Sequence, residues 1–237
     1  MADLELLDPI FLLDSREIYK PMAVRSIEQV PAAVIWPSGK RDPKAKLNSL
    51  PASGGRLDFP DHPEKQEERL EPKLGNVGYR RVVQGGGLSW AQYWLWYLYN
   101  PKNFVVAGEH EGDWEFVQVG YAGDQPVCMT ASQHKSGGAR MWWDVELRDG
   151  RPVIYVALGS HANYFKPVNE IPEVGDDGDG KGAVLDSMSW RTFGPWAQWK
   201  GRWGNSTGPG ESPQSPGCQG DRWNHPERYH SKAAVEL

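Results

Sequence analysis

The chain has 237 residues, a formal net charge of −5, and 39% hydrophobic against 24% charged residues. That length suffices to bury a sizeable core. The acidic balance, with no basic block, argues against nucleic acid as the main partner, and no apolar run is long enough to span a bilayer as a helix. Twenty-seven Gly and nineteen Pro imply many turns, while twelve Trp and nine Tyr supply apolar area. The expected fold is mainly β: an antiparallel β-sandwich or related two-layer β fold with long loops and few helices, one domain over 1–237.

Met1–Glu17, MADLELLDPIFLLDSRE, carries acids early and no basic start before an apolar core, so no secretory signal is expected. With only Cys128 and Cys218, a reducing, cytoplasmic setting is expected. Pro9–Ile27 reads as a strand and turn. Residues 37–78 are rich in Pro, Gly and charge and read as a long polar loop or lid, with at most a helical turn at Glu64–Leu70.

Order resumes at Tyr79. Ser89–Asn100, SWAQYWLWYLYN, suits a strand buried on both faces, although periodicity does not separate it from a buried helix. Asp113–Tyr121 is a strand, Gly123–Asp124 a tight turn and Pro126–Gln133 the returning strand. Lys135–Ala139 reads as a Gly-rich loop, Met141–Leu147 as a third strand, Asp149–Gly150 as a second turn and Pro152–Leu158 as a fourth strand. Residues 175–237 form a loop-rich wrap. Within it GDDGDGKG (175–182) lacks the later acid of an EF-hand and reads as a solvated acidic loop. The Trp and Arg of 196–230 either pin the wrap to the sheet or stack on a ligand.

If the four strands form a meander, His110, His134 and His161 collect at one end of the sheet. A two-residue turn at 123–124 sets Asp113 opposite His134 and Glu115 opposite Ser132. One face then reads Asp113, Glu115, Val117 against His134, Ser132, Thr130, and the other Trp114, Phe116 against Ala131, Met129, Val127. A one-residue slip would separate Asp113 from His134. His110, Asp113 and Glu115 put one imidazole and two carboxylates within six residues, a mixed donor set that suits Mg, Mn, Ca or Zn; no organic cofactor is indicated. His134, His161, Asp113 and Glu115 are the candidate catalytic groups. Ser132, Asn163, Trp114 and Tyr164 are the candidate substrate contacts. Cys128 reads as a small packed residue.

LSWAQYWLWYLYN, GEHEGDWEFVQV, ASQH, PVIYVALGSHANYF and WKGRWG with SPQSP together resemble the vacuolar protein sorting-associated protein sixty-two family, over roughly 79–226. That resemblance implies a family without implying a reaction. HEGDWE is also similar to the His-x-x-Asp-Trp-Glu signature of necrosis- and ethylene-inducing peptide-like toxins. This second resemblance implies a β-sandwich with metal ligands at His110, Asp113 and Glu115; the further upstream acid of those toxins has no counterpart in Tyr99–Val106.

The expected function is an intracellular enzyme acting on a small hydrophobic or cyclic substrate by hydrolysis, elimination or cyclisation. The alternative is a metal-dependent module that binds a glycan or lipid headgroup, with membrane or glycolipid contact the less favoured partner. A glycosidase using Asp113 and Glu115 ranks last, because residues of one strand seldom flank a substrate from both sides.

Overall fold

A computed structural model describes residues 6–30, 32–60, 72–101, 109–134, 136–171, 175–206 and 211–235. The turn expected at Glu64–Leu70 lies outside them. In chain order the described strands are β1 (Ile10–Leu13), β2 (Ala33–Ile35), β3 (Arg41–Asp42), β4 (Arg56–Asp58), β5 (Val77–Gly85), β6 (Leu88–Asn100), β7 (His110–Ala122), β8 (Gln125–Gln133) and β9 (Ser136–Met141). They continue as β10 (Leu147–Arg148), β11 (Arg151–Val156), β12 (Asn163–Tyr164), β13 (Val168–Ile171), β14 (Asp176–Gly178), β15 (Val184–Leu185), β16 (Ser189–Arg191) and β17 (Ala234–Val235). Two short helices, Asp221–Asn224 and Pro226–Lys232, follow near the C-terminus.

The fold is mainly β, as composition implies. The large sheet runs β16-β5-β6-β7-β8-β9-β17, and β5 to β9 form an antiparallel meander. A second sheet runs β10-β11-β1-β15, with β12 also on β11. Phe11, Leu13, Ile154 and Val156 of the second sheet meet Tyr93, Leu95, Tyr97, Val117, Val119, Met129 and Ala131 of the first, which makes the sandwich core. The other face of the large sheet carries Trp94, Trp96, Leu98, Trp114 and Phe116. It is covered by short elements and connecting segments: the 3-10 turn with Ile27, the β2–β4 pair with Val34 and Leu57, the helix with Trp223, and Phe59, Trp199 and Trp203 between elements. β6 is therefore buried on both sides, which explains its unbroken aromatic run.

Four expectations change. Residues 37–78 are not one open loop: β3 and β4 pair with β2, and Ala45, Leu57, Phe59 and Leu74 are buried. The Gly-rich stretch after His134 is strand β9, where Gly137 lies so near the Tyr229 hydroxyl and the Ala131 carbonyl that a Cβ would clash. Trp142–Asp144 is a turn of 3-10 helix instead of a strand. Finally, β11 leaves the meander for the second sheet, where it runs parallel to β1. The turn at Asp149–Gly150 is present between β10 and β11, with φ of 52° and 74°, as a type I′ hairpin requires.

The β7–β8 register also departs from the two-residue-turn arithmetic. Tyr121 pairs with Pro126, but a bulge follows and Gly120 pairs with Cys128. Val117 therefore faces Ala131 and not Thr130, while Thr130 faces Gln118 on the opposite side of the sheet. One extra residue in a strand exchanges the faces of everything beyond it. Cys128 packs under Gly120, and burial pushes its thiol up to about 11.

Candidate functional site at the end of the sandwich

The large sheet and the second sheet bring polar side chains together where β6 ends, β7 begins, β8 ends and β11 has run out. Asn100, the last residue of β6, sits opposite His110, the first of β7. Gly112 follows at φ +62°, and a Cβ there would strike the Trp203 carbonyl, so only glycine lets the chain pass. Asp113 and Glu115 then point into the sandwich beside Tyr97 and Leu95, their register partners on β6. Both carboxylates are buried.

Asp113 Oδ2 accepts a hydrogen bond from His161 Nδ1 at 3.0 Å. The His161 ring is fully buried and stacks on Tyr97 at 3.8 Å with a 2° interplanar angle. Its other nitrogen lies 3.8 Å from Glu17 Oε2, which itself accepts the Gly159 N–H at 2.6 Å. The imidazole is thus held between two buried carboxylates.

Glu115 accepts the Ser132 hydroxyl. That hydroxyl also accepts the Phe116 N–H at 2.9 Å and an amide hydrogen of Asn163 at 3.4 Å. β7 and β8 pair no further than Val117 and Ala131, and the Ser132 side chain supplies the ladder partner that β8 no longer offers. The contact expected between Glu115 and Ser132 exists, although the register argument for it fails. The Oδ1 of Asn163, on a fully buried side chain, has no hydrogen-bond partner among the described residues. Burial first, and the neighbouring Asp113 second, push the Glu115 carboxyl up to about 8; Arg222 and His134 act in the opposite direction.

His134 does not pair with Asp113. It ends the β8 turn at φ 52°, and its Nε2 lies 2.7 Å from Asp176 Oδ2 on β14. Asp176 also accepts Tyr164 OH and Ser160 Oγ, each at 2.6 Å. Burial opposes the charge on His134, but the Asp176 hydrogen bond and charge outweigh it and hold the imidazole above its ordinary value. Burial likewise opposes ionisation of Asp176, and its bond to His134 wins, so the carboxyl lies below its ordinary value. Arg222 donates to the His134 carbonyl and fixes the turn. His161 shares the left-handed backbone, at φ 54°.

Of the residues expected at the site, Asp113 meets His161, Glu115 meets Ser132 and through it Asn163, and His134 and Tyr164 join an adjoining cluster around Asp176. Trp114 lies on the opposite face, stacked on Trp196 at 5.7 Å, and contacts none of them through its ring. His110 turns its Nδ1 to the Gly112 carbonyl at 2.8 Å and its Nε2 to Asn100 at 3.2 Å. Among the described residues no group of three His, Cys, Asp or Glu side chains is placed to hold a metal ion. As they stand, His110 and Asp113 both meet the Asn100 side-chain amide, at 3.2 and 3.5 Å, whereas Glu115 turns to Ser132. In this arrangement the three side chains do not converge on one cation position.

Asp176, Glu17, Asn100 and Arg222 were not visible as site residues. Asp176 sits in the acidic run 175–182, where only burial distinguishes it from solvated Asp177 and Asp179. Glu17 and Arg222 come from opposite ends of the chain and carry no local signal.

No protein-family model matches the chain. A Saccharomyces cerevisiae protein, TDA6, named for an association with vacuolar protein sorting, is 27% identical over 184 residues; the match covers 58% of this chain and 39% of that protein. The chain therefore spans well under half the length of this relative. Among solved structures, a complex of NLPPya with mannosamine aligns over 97% of this chain and 88% of its own, at 15% identity and a TM-score of 0.45. A structure described as a toxin fold for microbial attack and plant defense aligns over 70% and 71%, at 15% identity and a TM-score of 0.43. Necrosis and Ethylene inducing Protein 2, from the agent of cocoa's Witches Broom disease, aligns over 49% and 50% at 18% identity, with a TM-score of 0.34. Likenesses this slight carry no residue-level correspondence.

Proposed function

We propose that this chain is a binding module for a small, hydroxylated, positively charged ligand at the sandwich end. One observation supports this above the others: a buried network rich in acceptors and poor in cations. Asp113, Glu115, Glu17 and Asp176 face two imidazoles and Arg222, while Asn163 Oδ1 has no donor. Buried polar groups left in this state cost free energy that a ligand's N–H and O–H groups would offset. His134 and Arg222 are the half-exposed members of this network. Trp90, Trp94, Trp96, Trp114 and Trp203 do not bear on the ligand, since they are sealed in the core.

Two of the structural neighbours were solved with glucosamine and with mannosamine, so amino sugars are the natural first probes. Calorimetric titration with glucosamine, with neutral glucose, and with Mg, Mn, Ca and Zn salts tests the reading. Glucosamine should bind about tenfold or more tightly than glucose, because a charge-assisted hydrogen bond is roughly twice as strong as a neutral one. Glu115→Gln and Asp113→Asn should erase that preference. Equal affinity for the neutral sugar, or none for the amine, sinks the proposal. A divalent ion that binds and competes with the amine would supply the same missing charge.

A second reading rests on Glu115 itself. A carboxyl held near 8 is suited to general acid chemistry at neutral pH. Turnover of a bound sugar derivative with a pH profile that changes in Glu115→Gln would establish it; binding without turnover would leave the module reading alone.

A further inference from the structure

A concavity lies between the 3-10 turns Val24–Glu28 and Leu47–Ser49. It has a volume of about 400 Å³ and is lined by Arg25, Glu28, Lys44, Ala45, Lys46, Leu47 and Asn48. Small-ligand sites occupy roughly 300–1,000 Å³. Its walls are anchored: Val24, Ser26 and Ile27 are buried, and the Ala45 N–H donates to the Ala32 carbonyl at 2.8 Å. Glu28 is engaged from within, accepting the Leu47 N–H at 3.0 Å and facing Arg25 Nε at 3.8 Å. Lys44 and Lys46 have no ion pair among the described residues. Three cations against one carboxylate give this concavity a local positive charge in a chain whose formal charge is −5.

We propose that this concavity binds a phosphate monoester. Lys44 and Lys46 line one concavity with Arg25 and have no acidic partner of their own among the described residues, and a doubly charged phosphate would offset that excess of positive charge while accepting hydrogen bonds from Lys44, Lys46 and Arg25. The volume exceeds that of phosphate alone. Ala45 and Leu47 give the floor an apolar strip, and the Asn48 amide offers a donor and an acceptor for hydroxyls on the ester's body. A soluble sugar phosphate and a phosphoinositide headgroup share this chemistry.

Titration of the full chain with inorganic phosphate, with a hexose phosphate, and with phosphatidylcholine vesicles with and without a phosphoinositide tests it. The hexose phosphate should bind more tightly than inorganic phosphate, and binding should weaken with added salt. The double variant Lys44→Gln with Lys46→Gln should lose affinity about tenfold or more, with an unchanged melting temperature because both side chains are exposed. Binding of the soluble ester marks a metabolite site, and binding only to phosphoinositide vesicles marks a headgroup site; either supports the proposal. No binding to any phosphate probe overturns it, as does binding that the double variant leaves intact. Asp113→Asn should not affect this binding, which separates the outcome from that at the sheet end.

Discussion

The two faces of β7 share one backbone and serve different ends. Trp114 and Phe116 point into a layer of stacked and edge-on rings: Phe116 lies 4.3 Å from Trp94 at 12°, and Trp114 is 5.5 Å from Trp203 at 86°. Asp113 and Glu115, their immediate neighbours, point into the sandwich. That second face changes character along its length, since Val117, Val119 and Tyr121 further on are ordinary core. Polarity is therefore confined to the stretch where β8 has stopped pairing with β7 and where Ser132, His161 and Asn163 can reach in. The aromatic face gains stability from buried area, whereas the polar stretch keeps ionisable groups out of water at a cost. Among the described residues the indole N–H groups of Trp94, Trp96 and Trp114 also have no acceptor. They are surrounded by ring faces and edges, an arrangement in which N–H···π contacts give partial compensation.

The contrast predicts unequal responses to truncation. Trp114→Ala should be the most damaging change, costing about 3–5 kcal/mol through lost transfer energy and a cavity. Urea unfolding would show it, and a loss under about 1 kcal/mol would mean the aromatic layer collapses to fill the gap. Asp113→Ala should cost less, about 1–3 kcal/mol, for the His161 N–H left without its acceptor. Above the folded pKa of Glu115 part of that loss is returned, because the like charge beside the ionised Glu115 disappears. The same variant should lower the Glu115 pKa, readable by carbon-detected NMR titration; a Glu115 unmoved by loss of Asp113 would break the claim that the two carboxyls are coupled.

Much of this was legible beforehand, and for local reasons. The aromatic run of β6, the strands of HEGDWEFVQV and PVCMTASQ, and the turns at 123–124 and 149–150 all follow from alternation and turn chemistry. So does the placing of Asp113 and Glu115 on one face, although their burial does not. What was not legible depends on contacts between distant segments. The bulge at Gly120–Tyr121 exchanged the partners of Val117 and Thr130. β11 pairs with β1, about 140 residues away in sequence, and so leaves the meander. His134 met Asp176 and not Asp113, because the β13–β14 hairpin closes over that sheet end from a segment whose composition reads as solvated loop.

The polar face should also reveal itself in pH dependence. His134 has a folded pKa above 6.5, so its contribution is complete below 6.5 and fades as pH rises through the folded value. Asp176 has a folded pKa below 3.8, so its contribution is present above 3.8 and fades on acidification below it. Their bond should stabilise most between those two limits. Glu115 acts with the opposite sign from an ordinary acid. Its folded pKa of about 8 exceeds the reference 4.5, so the folded state holds a proton that the unfolded state has released, and stability falls as pH rises from 4.5 to about 8. Thermal unfolding of Glu115→Gln across this range should show a flatter profile than the parent chain, by about 1 kcal/mol or more; an unchanged slope would remove Glu115 as the source.

The smallest expected effect isolates the His134 contact from its backbone. Asp149 and His134 have the same φ of 52°. Asp149 is at an exposed hairpin tip, whereas His134 is hydrogen-bonded to Asp176. Left-handed backbone strains a side chain at both positions, and glycine relieves it while adding freedom to the unfolded chain. At Asp149 these terms nearly cancel, so Asp149→Gly should shift stability by no more than about 0.5 kcal/mol at any pH. At His134 the same backbone terms apply, and the lost bond to Asp176 is added to them. The difference between His134→Gly and Asp149→Gly therefore reports the His134–Asp176 contact alone. It should be about 1 kcal/mol near pH 5 and shrink above the folded pKa of His134. Two glycine variants of equal stability across that range would show that the turn at His134 is held by the Arg222 bond to its carbonyl, with the imidazole contributing nothing.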